Sequence, residues 1–236
     1  MMQVRSPAVE RAVAAIYPDI ANRVALADVV STEKRLWWEL SCCILSSQVP
    51  FELAAAAADA VQASGLLLGP VPSDAALRSG ITGVLQEKLD VNGRERKYRF
   101  PAAKGRQLAA CRLAVDRTAS SLTALLGALV NPVDARLWLV DHAPGIGPKQ
   151  ASMFLRNIGV TYDLAVLDRH VVEYMALVGI DDGFVTKITT LAGYGKSEER
   201  LRAYANTQGF SVGLLDWAIW IVMRSARSLS GKEVMQ

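Results

Sequence analysis

The chain has 236 residues, 51% apolar and 21% charged, with a formal net charge of +3; this suits a globular protein of one large domain or two small ones. Three cysteines (Cys42, Cys43 and Cys111), two of them adjacent in an apolar run, exclude a disulfide framework; with no CxxC pair and only two histidines, no metal and no cofactor is expected. No apolar leader opens the chain and no run reaches the length of a membrane span, so a cytoplasmic protein is expected, and the small positive charge favours an anionic partner.

The chain reads as helix after helix. An apolar stripe of Val9, Val13, Ala14 and Ile16 predicts a first helix over 6–17. Thr32 followed by Glu33 is a start signal, and Leu36, Trp37, Leu40, Cys43 and Ile44 carry the helical period to about Ser47. Residues 51–64 form an alanine-rich helix that stops at Gly65. GPVPSD is a turn, Asp74–Arg78 a short helical turn, and the polar, glycine-bearing stretch 88–99 a loop. Pro101 opens a helix to Arg117, another spans 120–129, and Asn131 with Pro132 starts the next. Arg169–Val178 ends at Gly179. Ser197 with Glu198 and Glu199 starts a helix that stops at Gly209, and Ser211 caps the last one, through about Ala226. No strand pattern appears, so the expected fold class is all-α.

Between residues 132 and 158 two helices flank the turn APGIGPK. Gly145 and Gly147 put no side chain in the way of a close approach, and the following helix offers free backbone N–H groups, a geometry that binds phosphate. Lys149 opens that helix, where the aligned peptide dipoles disfavour an ammonium. Such a lysine either holds a phosphate or has to lose its proton. The segment resembles the helix-hairpin-helix of the DNA glycosylase superfamily. The run GIGPKQASMFLRNIG…LAVLDRH is similar to one branch, the archaeal-type 8-oxoguanine DNA glycosylase/AP lyases, closely over 144–170 and loosely over most of the chain.

The resemblance implies two helical subdomains with a base-binding cleft between them. Residues 33–150 would form a central bundle ending in the hairpin, and 1–32 with 160–236 the other half. It implies a monomer acting at the nucleoid on double-stranded DNA that contains a damaged base. Lys149 and Asp168 fall on the branch's catalytic lysine and aspartate. A neutral Lys149 amine would attack C1′ of a flipped nucleotide, and a helix N-terminus and partial burial both work against the ordinary lysine pKa near 10.4. A Schiff base and β-elimination would follow, with the Asp168 carboxylate opposite the oxocarbenium-like charge. Asp168 also precedes an apolar-periodic segment, so it reads as a helix cap as well. Gly145, Gly147 and His170 would hold the DNA backbone. Gln48 resembles the amide that fills the hole left by the flipped base. In RERKYRF, similar to a segment that opens a helix near the DNA, Arg96 and Arg99 would reach phosphates.

Asp216 and Trp220 in LLDWAIWIVM lie four apart, on one side of a helix, where the branch lines its base pocket. A carboxylate can accept from both N1–H and N2–H₂ of a guanine-type base. The tail SLSGKEVMQ runs on where the branch tends to stop. Two other readings stand beside this one. An endonuclease III-like enzyme for another modified base needs four C-terminal cysteines, and none lies beyond residue 111. A non-catalytic DNA-binding hairpin explains the glycines but not Lys149 with Asp168.

Overall fold

The structure is a computed structural model that describes residues 7–27, 32–70, 73–180 and 190–233, with side chains of the last helix described to residue 227. In chain order the elements are α1 (Pro7–Ala25), α2 (Glu33–Leu45), α3 (Phe51–Ala63), α4 (Asp74–Gln86), β1 (Lys88–Val91), β2 (Arg94–Lys97), α5 (Pro101–Thr118), α6 (Leu122–Ala128), α7 (Pro132–His142), α8 (Pro148–Asn157), α9 (Arg169–Leu177), α10 (Leu191–Thr207) and α11 (Val212–Glu233). The fold is all-α, with one small β-hairpin among the described residues. Two compact units divide the chain. One is Val29–Val160 and the other is Met1–Asp28 with Thr161–Gln236.

In the first unit, Thr32 caps α2 by accepting from Arg35 N–H at 3.4 Å. Glu33 reaches across to the N-terminus of α6, where its carboxylate accepts from Leu122 N–H and Thr123 N–H, each at 2.8 Å. An acidic group on free helix N–H donors is stabilising, so this one side chain locks two helix starts together. Leu40, Ile44, Ala57, Leu77, Ile81, Leu85 and Leu108 are fully buried at the centre. Cys42, Cys43 and Cys111 are free thiols in the same core. Burial pushes all three up, Cys111 to about 12.

Two expectations fail here. Helix α4 runs for three turns instead of one, capped by Ser73 accepting from Ala76 N–H at 3.3 Å. Gly80 and Gly83 hide it in the sequence. Its packing on α5 supports it: a Cβ on Gly105 would come within 2.3 Å of Thr82 Oγ1, so only glycine lets the two helices close up. The stretch 88–99 is not a loop but an antiparallel hairpin pairing Leu89 with Arg96 and Val91 with Arg94. Asn92 (φ 53°) and Gly93 (φ 76°) make a tight turn whose twist suits paired strands.

In the second unit, α1 continues to Ala25 through Pro18, beyond the expected end at residue 17. A proline inside a helix costs one backbone bond. Here Ile20, Ala21 and Val24 continue the apolar stripe onto the core of Val171, Tyr174, Leu201, Leu215 and Ile219, which offsets that loss. Helix α10 starts at Leu191, not Ser197, because Thr190 caps it by accepting from Gly193 N–H at 3.1 Å and Tyr194 is buried. Ser211 does not cap α11 with its hydroxyl; Ser211 Oγ donates to Tyr162 C=O at 2.5 Å, beside Gly213 N–H on the same oxygen at 2.8 Å.

Candidate active site

The hairpin turn of the first unit is built by backbone geometry. Ile146 N–H donates to Ala143 C=O at 3.0 Å, and the buried Ile146 side chain anchors the loop. Gly145 has φ +90°, and the Gln107 amide of α5 lies where a Cβ at position 145 would come within 2.4 Å. Any side chain there meets a strained backbone, and the Gln107 amide would have to swing aside. Helix α8 then starts at Gly147, its N-cap, with Pro148 in the first turn and no side chain capping the free N–H groups. Lys149 sits half-buried in that first turn. Its charge reaches the buried Cys43 of α2, as do those of Glu39 and Arg156. Below it, α8 is fixed by buried Ala151, Phe154 and Leu155, and by Asn157 Nδ2 donating to Glu39 Oε1 at 2.6 Å.

Gln48 lies exposed in the turn between α2 and α3 with φ +62°, a left-handed conformation that glutamine rarely adopts. Arg96 is exposed on β2, and Arg99 is exposed with its guanidinium 5.0 Å from the Phe100 ring centroid. A groove of about 540 Å³ separates the start of α3 (Pro50, Glu52, Leu53) from the hairpin (Val91, Asn92, Arg94, Arg96). Gln48, Arg96, Arg99, Gly145, Gly147 and Lys149 thus belong to one unit.

Asp168, His170, Asp216 and Trp220 belong to the other. Asp168 is the N-cap of α9, with Oδ1 accepting from His170 N–H at 2.8 Å and Val171 N–H at 2.9 Å. Its Oδ2 accepts no hydrogen bond among the described residues. The segment leading into Asp168 is held by side chains at three successive residues. Glu198 Oε1 accepts from Ala165 N–H at 2.7 Å, Asp216 Oδ2 from Val166 N–H at 2.6 Å, and Tyr194 Oη from Leu167 N–H at 3.0 Å. Tyr194 Oη also donates to Ala165 C=O at 2.6 Å. Glu198 and Asp216 are 3% and 1% exposed, so these bonds lie away from water, where a lost partner is expensive. Sequence reasoning missed Tyr194 and Glu198 as supports, because their partners lie about thirty residues away along the chain.

His170 is buried, not offered at the surface. Burial lowers its pKa, and Arg169 and Arg227 push it the same way against Asp168 and Glu173, so the ring is neutral at pH 7. Arg169 Nε donates to its Nε2 at 3.4 Å. Trp220 is half-buried, with the Arg224 guanidinium 4.8 Å from its ring centroid. Among the described residues no three His, Cys, Asp or Glu side chains gather as a metal site, and no helix is long and apolar enough to cross a membrane.

Residues 23–210 match the family model of 8-oxoguanine DNA glycosylase. The chain is 31% identical over 198 residues to the 8-oxoguanine DNA glycosylase/AP lyase of Thermotoga sp. (strain RQ2), covering 82% of each chain. It is 27% identical over 189 residues to the enzyme of that name from Sulfurisphaera tokodaii, covering 80% of this chain and 82% of the relative. Among solved structures it is similar to the 8-oxoguanine DNA glycosylase of Thermotoga maritima, at 27% identity and a TM-score of 0.65, covering 91% of this chain and 93% of the other. The fold is shared as well with the 8-oxoguanine glycosylase/lyase of Methanocaldococcus jannaschii in complex with DNA containing 8-oxoguanine, at 20% identity and a TM-score of 0.57, covering 91% of this chain and 88% of the other. The helix-hairpin-helix architecture and these matches agree: the chain belongs to the 8-oxoguanine DNA glycosylase family.

Proposed function

We propose that the protein removes 8-oxoguanine from DNA and then cleaves the strand at the resulting abasic site, with Lys149 as nucleophile and Asp168 as the charge that steadies the transition state. One observation carries the assignment of residues: a half-buried lysine stands in the first, uncapped turn of the second hairpin helix, in a chain of this family.

The Lys149 amine attacks C1′ as the glycosidic C–N bond breaks, and the proton that the nitrogen sheds leaves with the base. The sugar ring opens to a Schiff base between Nζ and C1′. A proton leaves C2′, the 3′ C–O bond breaks, and the phosphate departs with the electron pair. Water then releases the lysine. Positive charge on the sugar peaks early in this sequence. Asp168 meets it with Oδ2, while Oδ1 stays on its two N–H donors and fixes the group in place. The turn N–H groups around Gly145 and Gly147, with Arg96 and Arg99, grip phosphates. Gln48 fills the gap left in the stack. His170 is buried and its pKa is lowered, which argues against a charged contact to phosphate. The reading needs no cofactor and no second protomer, since nucleophile and counter-charge come from this one chain. A DNA substrate puts its work at the nucleoid, in the cytoplasm.

Asp216 and Trp220 are assigned to the base. Asp216→Asn keeps an acceptor for Val166 N–H but gives up the carboxylate, and Trp220→Ala removes a stacking surface worth about 1–3 kcal/mol. Both variants are expected to lose excision of 8-oxoguanine while keeping β-elimination on a preformed abasic site. Equal loss of the two activities would make Asp216 a brace for the 165–168 segment and nothing more.

The function itself is tested with a panel of duplexes carrying 8-oxoguanine or an oxidised pyrimidine, incubated with borohydride. Cleavage and a covalent protein–DNA adduct are expected with 8-oxoguanine. Failure to excise it opposite any base sinks the assignment.

A further inference from the structure

We infer that Tyr98 is a positioning residue for base extrusion, its hydroxyl tying the turn that presents Gln48 to the cationic hairpin. The inference rests on the reading of Gln48 as the side chain that fills the vacated space.

The last carbonyls of a helix have no partner within it. At the end of α2, Ser46 N–H takes the Cys42 carbonyl at 2.9 Å and Ser46 Oγ donates to Cys43 C=O at 3.3 Å. The carbonyl of Leu45 receives instead the Tyr98 hydroxyl, at 2.7 Å, from 53 positions further along the chain. Tyr98 is 4% exposed, while Lys97 and Arg99 on either side are exposed. Burial raises its pKa, so the phenol stays a donor.

Three residues beyond Leu45, Gln48 holds φ +62°, which a glutamine keeps only when its surroundings impose it. Among the described residues the turn has one internal backbone bond beyond Ser46, Val49 N–H to Ser46 C=O, and it is long at 3.3 Å. The turn therefore depends on an outside anchor. Tyr98 is that anchor, and it stands one residue past the end of β2, the strand that carries Arg94 and Arg96. Phosphate held by the hairpin and Gln48 pressed into the stack are joined through one phenol.

The test is a double-mutant cycle read by stopped-flow fluorescence of 2-aminopurine placed beside 8-oxoguanine in a duplex. Tyr98→Phe keeps the ring and loses the bond, and is expected to lower the extrusion rate about tenfold. Its β-elimination on a single-stranded abasic oligonucleotide should match wild type, which also checks folding. Gln48→Ala should lower extrusion, and adding Tyr98→Phe should lower it no further, since the two act through one side chain. Multiplying effects, or normal extrusion by Tyr98→Phe, overturn the proposal while leaving Gln48 its role. Normal extrusion by Gln48→Ala overturns the role of Gln48 and the proposal with it.

Discussion

Lys149→Gln is expected to abolish both strand cleavage and borohydride trapping on 8-oxoguanine duplexes while binding persists. Without an amine there is no Schiff base, so nothing can be reduced to a stable adduct and no C2′ proton becomes acidic. Binding should survive because Gly145, Gly147 and the uncapped N–H groups of α8 do not depend on the lysine side chain. Glutamine is a good helix former, and Lys149 makes no hydrogen bond to any described residue, so the hairpin keeps its geometry. Gel-shift affinity and trapping, measured on one preparation, check both halves. Persistent trapping would mean that another amine forms the adduct.

Asp168→Asn should lower the excision rate by about two to three orders of magnitude, the effect of removing one preorganised electrostatic contact. The choice of asparagine matters. It caps helices about as well as aspartate, so the bonds to His170 N–H and Val171 N–H persist and the melting temperature should hardly move. Asp168→Ala would lose the cap too, adding about 1 kcal/mol of destabilisation. Single-turnover rates beside thermal melts for the two variants separate the charge from the cap. An Asn variant at wild-type rate would leave Asp168 as a cap alone.

Much of the helical order was legible because caps and periods are local. Thr32, Asn131 and Asp168 all cap in the structure, each reading directly from a short polar residue before an apolar stripe. The glycine turn was legible for the same reason, since φ +90° at Gly145 admits little else. The hairpin was not. Its second strand, RERK, is exposed along its whole length, so no apolar alternation marks it and the only cue was Asn92–Gly93. The start of α10 hid behind Gly193 and Gly195, and its warrant is Tyr194 meeting residues 165 and 167. Asp216 shows the limit at the candidate site. Its helical spacing from Trp220 was plain, but its bond to Val166 N–H, fifty residues earlier, belongs to tertiary structure.

The three buried thiols carry one more meaning. Peroxide attacks the thiolate and spares the thiol, so sulfur oxidation follows the fraction ionised and the access to solvent. Cys42, Cys43 and Cys111 offer neither, being shut in the core with their ionisation pushed far above neutral pH. Oxidised guanine accumulates when oxidants run high, and a protein charged with removing it must keep working in those same conditions. At its cysteines this chain gives an oxidant nothing to act upon.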